Sequence, residues 1–157
     1  IDVRLRRHFA EQFDAKYSGK LKESIFKSPR AMTMLLKEAN RIKQILSANT
    51  ETVASIENVH EEHDLRLTIT RTELDAMMVD LVKRVGGPIQ EALSNAGMSL
   101  KDIKSCVLVG GGIRVPSIQT MIKEIVGEDK IAQNVNGDEA AVLGAAFRGA
   151  ALSHQFK

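Results

Sequence analysis

One cysteine, Cys106, no tryptophan and only 4% aromatic residues are the scarcest features of this 157-residue chain. A single cysteine excludes a disulfide framework and a cysteine-based metal cluster, and its place in an apolar run marks it as a buried, inert thiol. Charge of one sign is missing too, because 22 basic residues are interspersed with 20 acidic ones for a formal net charge of +2. No field able to hold a polyanion follows, which argues against a nucleic-acid partner. The longest apolar run, Ala140 to Phe147, has eight residues, far short of the roughly twenty that span a bilayer. A soluble chain without a membrane partner is expected. There is no initial methionine, signal peptide, low-complexity leader or internal repeat. We therefore expect a piece of something longer, whose address tag can lie outside it. Also lacking are a Walker lysine motif, a supported Ser-His-Asp order and a recognisable carboxylate pair, so the residues give a nucleophilic or acid–base enzyme little support.

What is present suffices for one domain: 43% hydrophobic residues over this length can bury a core. Leu5, Phe9 and Phe13, with Ala10 and Tyr17, recur at helical spacing and predict an amphipathic helix over 2–17. Ser28-Pro29 is an N-cap and first-turn signal for a second helix to about Ser47, with Met32, Leu35, Leu36, Ala39, Ile42 and Leu46 inward. Lys37, Asn40, Arg41, Lys43 and Gln44 fall on its other side. Two β-leaning runs, Thr52 to Val59 and Leu65 to Thr70, flank the charged connector His60-Glu-Glu-His-Asp64 and predict a hairpin with a solvated polar tip. Those histidines and acids lack the helical H-E-x-x-H pattern, so a wet turn is expected there instead of a metal site.

Thr70 and Glu73 have capping-box spacing ahead of Leu74, Met77, Met78, Leu81, Val82 and Val85. Met77 and Met78 read as core filler. Gly86-Gly87-Pro88 is expected to break this helix, and a shorter one restarts at Pro88 with Ile89, Ala92 and Leu93 inward and Gly97 as its stop. Strand and helix then alternate: Cys106 to Val109, Pro116 to Val126, a short strand near Ile131, and Asp138 to Leu152. The last helix is dominated by Ala and Gly and is expected to be buried against its own sheet or a hinge.

The candidate binding motif is Ser105-Cys-Val-Leu-Val-Gly-Gly-Gly-Ile-Arg-Val-Pro116, a strand emptying into three glycines and a proline-started helix. This presents backbone N–H groups and a helix N-terminus to an anion. Arg114 adds a planar cation able to stack on a base or fork onto a phosphate. A tight turn without a ligand explains the same glycines equally well at this point. Asn136-Gly-Asp-Glu-Ala-Ala-Val-Leu-Gly-Ala-Ala146 follows, with Asp138 placed to cap a helix and Glu139 to complement its dipole. Lys37, Asn40, Lys43, Gln44 and Ser47 share much of one helical face, and periodicity alone does not decide between wet surface and a binding face.

VLVGGGIRVPSIQTMIKEIVG and NVNGDEAAVLGAAFRGAAL together resemble the second lobe of the actin-like ATPase domain of the heat shock protein 70 superfamily. EANRIKQILSANTETVASIENV and LRLTITRTELDAMMVDLV extend the likeness over essentially the whole chain. KSPRAMTMLLKEANRIKQILSAN and AAFRGAALSHQFK are similar to the large endoplasmic-reticulum members of the glucose-regulated protein 170 or Lhs type. The resemblance implies an α/β lobe II fragment with an incomplete sheet, and an inserted α+β subdomain of helices and hairpin over 28–97. It assigns 1–27 and 98–157 to the core α/β subdomain.

By position, the likeness implies that Gly110, Gly111 and Gly112 pass close to ribose and phosphate and that Arg114 packs on adenine. It places Lys43 and Ser47 against the adenosine from the other side and has Asp138 fix the loop beneath the base. Two residues depart from the family: Asn40 stands where a glutamate is usual and Gln44 where an arginine completes a cationic sandwich. Altered adenosine affinity is the expectation. Gly112 also replaces a small hydroxyl residue.

The family's phosphate hairpins, Mg-coordinating aspartates and water-positioning lysine belong to parts outside this chain. The fragment should therefore bind ATP or ADP weakly or not at all and should not hydrolyse it, with no catalytic or metal residue of its own. The strand Cys106 to Val109 is expected to keep an unpaired edge. The parent is expected to be an ATP-binding chaperone of the endoplasmic-reticulum lumen, possessing ATPase potential, holding unfolded clients and promoting ADP release from the resident 70-kDa chaperone. A protein-interaction module gripping that partner, with little nucleotide role, is the alternative. A dinucleotide oxidoreductase fits poorly, because the glycine loop comes late and Glu128-Asp129 are at the wrong distance.

Overall fold

In the computed structural model, which describes residues 1–132, 135–137 and 139–153, Leu5, Phe9, Ala10 and Phe13 are fully buried along α1 (Asp2–Lys16). α2 (Pro29–Ala48) starts where Ser28 Oγ accepts the Ala31 N–H at 3.3 Å and Pro29 takes the first turn. Its buried stripe is Ala31, Leu35, Ala39, Ile42 and Leu46, while Met32 and Leu36 are half-buried. At its far end Arg71 donates to the Leu46 and Asn49 carbonyls, both at 2.8 Å, satisfying acceptors that a helix end leaves open.

The strands β1 (Glu51–His60) and β2 (His63–Thr70) form an antiparallel hairpin whose inner face carries the buried Ala54, Leu65 and Ile69. The ladder reaches His60 opposite His63, so the turn shrinks to Glu61 and Glu62, with φ of 47° and 64°. Left-handed conformations at both turn residues match the twist of the flanking strands. This tip is the solvated turn expected from its charges only in part: Glu62 and Asp64 are exposed, whereas Glu61 and His63 are half-buried. The Glu61 carboxylate accepts the N–H groups of Lys22 at 2.8 Å and Glu23 at 3.1 Å. Tyr17 donates its hydroxyl to the Asp64 carbonyl at 2.9 Å and packs edge-on against His63. Docked onto the end of α1, the polar residues hold chain segments together, and no metal-binding cluster occurs among the described residues.

The helix α3 (Arg71–Lys83) begins with the expected capping box: Glu73 Oε2 accepts the Thr70 N–H at 2.7 Å, and Thr70 Oγ1 accepts the Glu73 N–H at 3.2 Å. Leu74 and Met78 are its buried residues, whereas Met77 is half-buried.

Two compact units divide the chain, Ile1–Val79 and Asp80–Lys157. The first packs α1, α2 and the hairpin around one core, so α1 shares that core with the helix-and-hairpin elements. Each large side chain buried there, Phe9 and Phe13 among them, is worth roughly 2–3 kcal/mol.

The second unit contains α4 (Gly86–Asn95), α5 (Pro116–Val126) and α6 (Ala140–Leu152). Its described buried residues are Val115, Ile122 and Val126. Gly86 and Gly87 do not break the helical path as expected; the break falls at Arg84 and Val85, and both glycines lie in the first turn of α4. A Cβ on Gly86 would meet Ile125 Cδ1 at 3.0 Å, so glycine here lets α4 approach α5. Ile89 and Leu93 are half-buried and Ala92 is exposed, contrary to the inward stripe predicted.

The expected strand Cys106 to Val109 is reduced, among the described residues, to one parallel bridge between Cys106 and Ile131. Cys106 donates its N–H to the Lys130 carbonyl at 2.6 Å and accepts from the Ala132 N–H at 2.9 Å. Cys106 is half-buried, not buried as expected. Val107 and Val109 are exposed, since a lone bridge gives their side chains no sheet face to share. α6 is not buried as expected either: Val142 and Phe147 are 65% and 72% exposed, and among the described residues the second unit has the single Cys106–Ile131 bridge as its strand pairing. α6 starts at Ala140 without a side-chain cap, and the expected cap Asp138 lies outside the described residues.

Candidate functional site

The glycine bend is built by backbone demands that differ along it. Gly110 has φ +96°, a region that side chains rarely adopt, and its carbonyl accepts the Ile113 N–H at 3.2 Å. Gly111–Arg114 then forms one 3₁₀ turn, and Val115 hands the chain to Pro116 at the start of α5. Gly111 and Gly112 have neither a left-handed φ nor a neighbour within 4 Å of an added Cβ. A tight turn accounts for Gly110 alone. The other two glycines leave an open, side-chain-free backbone surface beside Arg114.

Gly137, whose role sequence reasoning missed, fixes this bend from outside. Its carbonyl accepts the Gly110 N–H at 3.3 Å, and a Cβ at Gly137 would lie 2.8 Å from the Leu108 carbonyl oxygen and 3.6 Å from Val109 Cα. Only a residue without a side chain permits such an approach. The signal was the glycine itself, next to a residue assigned as a cap.

In the first unit, Asn40, Lys43, Gln44 and Ser47 are brought to one side of α2 by helical spacing. Gln44 Nε2 donates to Asn40 Oδ1 at 2.9 Å, and Ser47 Oγ donates to the Gln44 carbonyl at 2.6 Å. Asn40 and Gln44 are exposed, whereas Lys43 and Ser47 are half-buried. Lys43 Nζ is 2.8 and 3.0 Å from the two carboxylate oxygens of Asp2 on α1. No sequence spacing could have paired residues so far apart. Lys37 is exposed.

Arg41, predicted on the outer side of this helix, is structural, and so is its partner Glu38. Glu38, buried on α2, receives Arg41 Nε at 2.9 Å and Arg41 Nη2 at 2.6 Å, and its Oε1 also accepts the Ser55 N–H at 3.0 Å. Burial pushes the Glu38 carboxyl up, but the hydrogen bonds from Arg41 and Ser55 and the Arg41 charge outweigh it and hold the group below the ordinary glutamate range.

The candidate residues thus form two local sets, one on α2 in the first unit and one in the bend before α5 in the second. Both offer hydrogen-bond donors, and each contains a permanently or ordinarily cationic side chain, Arg114 or Lys43. The Hsp70 protein family matches residues 1–157. The chain belongs to the Hsp70 family. Hypoxia up-regulated protein 1 of Cricetulus griseus is 43% identical over all 157 residues, which cover 16% of that protein. The Xenopus tropicalis and Homo sapiens proteins of that name are 44% and 42% identical over the same length, covering 24% and 16% of them. The chain therefore spans less than a quarter of these Hsp70 relatives. Among its described residues no helix is long and apolar enough to cross a membrane.

Proposed function

We propose that this chain supplies the adenosine-facing part, lobe II, of the ATP-binding domain of a large Hsp70-like chaperone. Residues 28–97 correspond to the inserted helix-and-hairpin subdomain of that lobe, and 1–27 with 98–157 to its core subdomain. By the family resemblance, Gly110, Gly111, Gly112 and Arg114 form one nucleoside-binding set and Asn40, Lys43, Gln44 and Ser47 another, and the same resemblance assigns a binding role to Asp138, which lies outside the described residues. The observation that carries this reading is the bend itself: Gly111 and Gly112 are glycine where neither backbone conformation nor packing requires it, beside Arg114. A ligand that must approach the backbone closely explains what folding does not.

The triphosphate and its Mg ion fall to parts of the protein beyond these residues, so this chain does not hydrolyse ATP by itself. The whole protein acts in the endoplasmic-reticulum lumen, holding unfolded clients and promoting ADP release from the resident 70-kDa chaperone. The names of the relatives, hypoxia up-regulated protein 1, support a stress role.

The test is release of labelled ADP from the 70-kDa partner by the full-length protein and its Arg114→Ala variant, alongside nucleotide binding by each. Loss of both in the variant is expected. Exchange that survives in the variant although its nucleotide binding is lost would favour the other reading, a module whose helices and hairpin grip the partner directly.

A further inference from the structure

Lys43 does not stand alone on its helix face. Its ammonium lies 2.8 Å from Oδ1 and 3.0 Å from Oδ2 of Asp2, which opens α1. The two side chains are 21% and 31% exposed, whereas the local pairs Lys27–Glu23 and Lys123–Glu128 run from 42% to 75%. Enclosure matters here, since water and salt screen a half-buried pair less than a surface pair. Oδ2 accepts the directed hydrogen bond, and Oδ1 is a buried atom whose approach to Nζ is ionic.

We infer that Asp2 is a positioning residue that makes Lys43 a directional hydrogen-bond donor for the uncharged nucleoside, not a counter-ion for phosphate. This rests on the adenosine-facing role proposed above. An ammonium carries three N–H donors, and the carboxylate takes part of that capacity while fixing a flexible four-carbon stem. The remaining donor capacity can serve a hydroxyl or ring acceptor. To a charged group farther off, the paired ammonium and carboxylate look nearly neutral, because their fields cancel. A nucleotide's phosphates lie within about 10 Å of its ribose, roughly one Debye length at 0.1 M salt, so an unpaired lysine would be felt by them.

The experiment measures adenosine and ADP affinities of the full-length protein at low and high salt for wild type, Asp2→Asn and the double variant Asp2→Asn with Lys43→Gln. Removing the carboxylate charge should favour ADP over adenosine by about threefold or more at low salt, and the gain should shrink at high salt. The double variant, like wild type, carries no net charge at the pair and should weaken both ligands by the same factor. A ratio unmoved by Asp2→Asn, with both ligands still bound, overturns the inference and leaves the adenosine-facing reading standing. If Asp2→Asn does not fold, the double variant decides: a loss about threefold greater for ADP than for adenosine overturns it equally. Failure of the wild-type protein to bind either ligand sinks the adenosine-facing reading and this inference with it.

Discussion

Glu38 and Arg41 together close the outer edge of β1. Glu38 Oε1 accepts the Ser55 N–H at 3.0 Å, and Arg41 Nη2, itself 2.6 Å from that same Oε1, donates to the Val53 carbonyl at 3.0 Å. A strand edge with unpaired backbone groups is a template for aggregation, and here one ion pair from α2 satisfies the Ser55 donor and the Val53 acceptor on it. Removing the carboxylate leaves a backbone donor and a guanidinium without their acceptor. Glu38→Ala should therefore lower stability by about 2 kcal/mol and Glu38→Gln by about half as much, read from urea unfolding midpoints.

Acid should act through the same carboxylates. Burial raises the Glu38 carboxyl, but its hydrogen bonds and the Arg41 charge bring it below the ordinary range; hydrogen bonds from the Thr70 hydroxyl and N–H lower Glu73. A carboxyl lowered on folding stabilises the native state above its unfolded value, near pH 4.3 for glutamate, and that contribution disappears as pH falls through the folded value. Stability should decline as pH falls below about 4.3, and the decline should be shallower in Glu38→Gln. Equal pH dependence in wild type and variant would contradict this.

The glycines around the bend should respond oppositely to alanine. At Gly137 the added Cβ meets the Leu108 carbonyl at 2.8 Å, so Gly137→Ala should destabilise the second unit and disturb the amide resonances of Gly110 to Ile113. At Gly111 the space is open, and Gly111→Ala should change stability by less than about 0.5 kcal/mol while weakening nucleotide binding by the full-length protein. Unchanged binding by Gly111→Ala would remove the argument from openness.

Hydrogen exchange should be slowest in α1, α2 and the hairpin, whose buried side chains make up the main core, and fast at Cys106 to Val109, where the bridge at Cys106 is the described strand pairing. Slowest exchange at Cys106 to Val109 would contradict that ranking.

The isolated 157-residue chain should bind ATP weakly or not at all, because phosphate and metal contacts provide much of a nucleotide's hold. Micromolar affinity by calorimetry would contradict this.

Local rules made much of the first unit legible. Ser28 with Pro29, Thr70 with Glu73, and the stripe Leu35, Ala39, Ile42 and Leu46 each need only neighbours a turn away, so spacing was enough to place α2, the hairpin and α3. The bend was legible for a similar reason, since Gly110 and Pro116 set backbone geometry locally. Family membership also followed from motif order. Spacing failed where a residue's partner is distant in sequence: Lys43 with Asp2, Glu38 with Ser55, Arg71 with the end of α2, and the hairpin tip with the end of α1. It failed again at Cys106 to Val109 and at α6, because an apolar run shows that burial is available but not whether a sheet exists to provide it. Backbone preference and helical period are properties of short segments, whereas charge neutralisation and burial depend on which distant segments meet, and only the packed chain decides that.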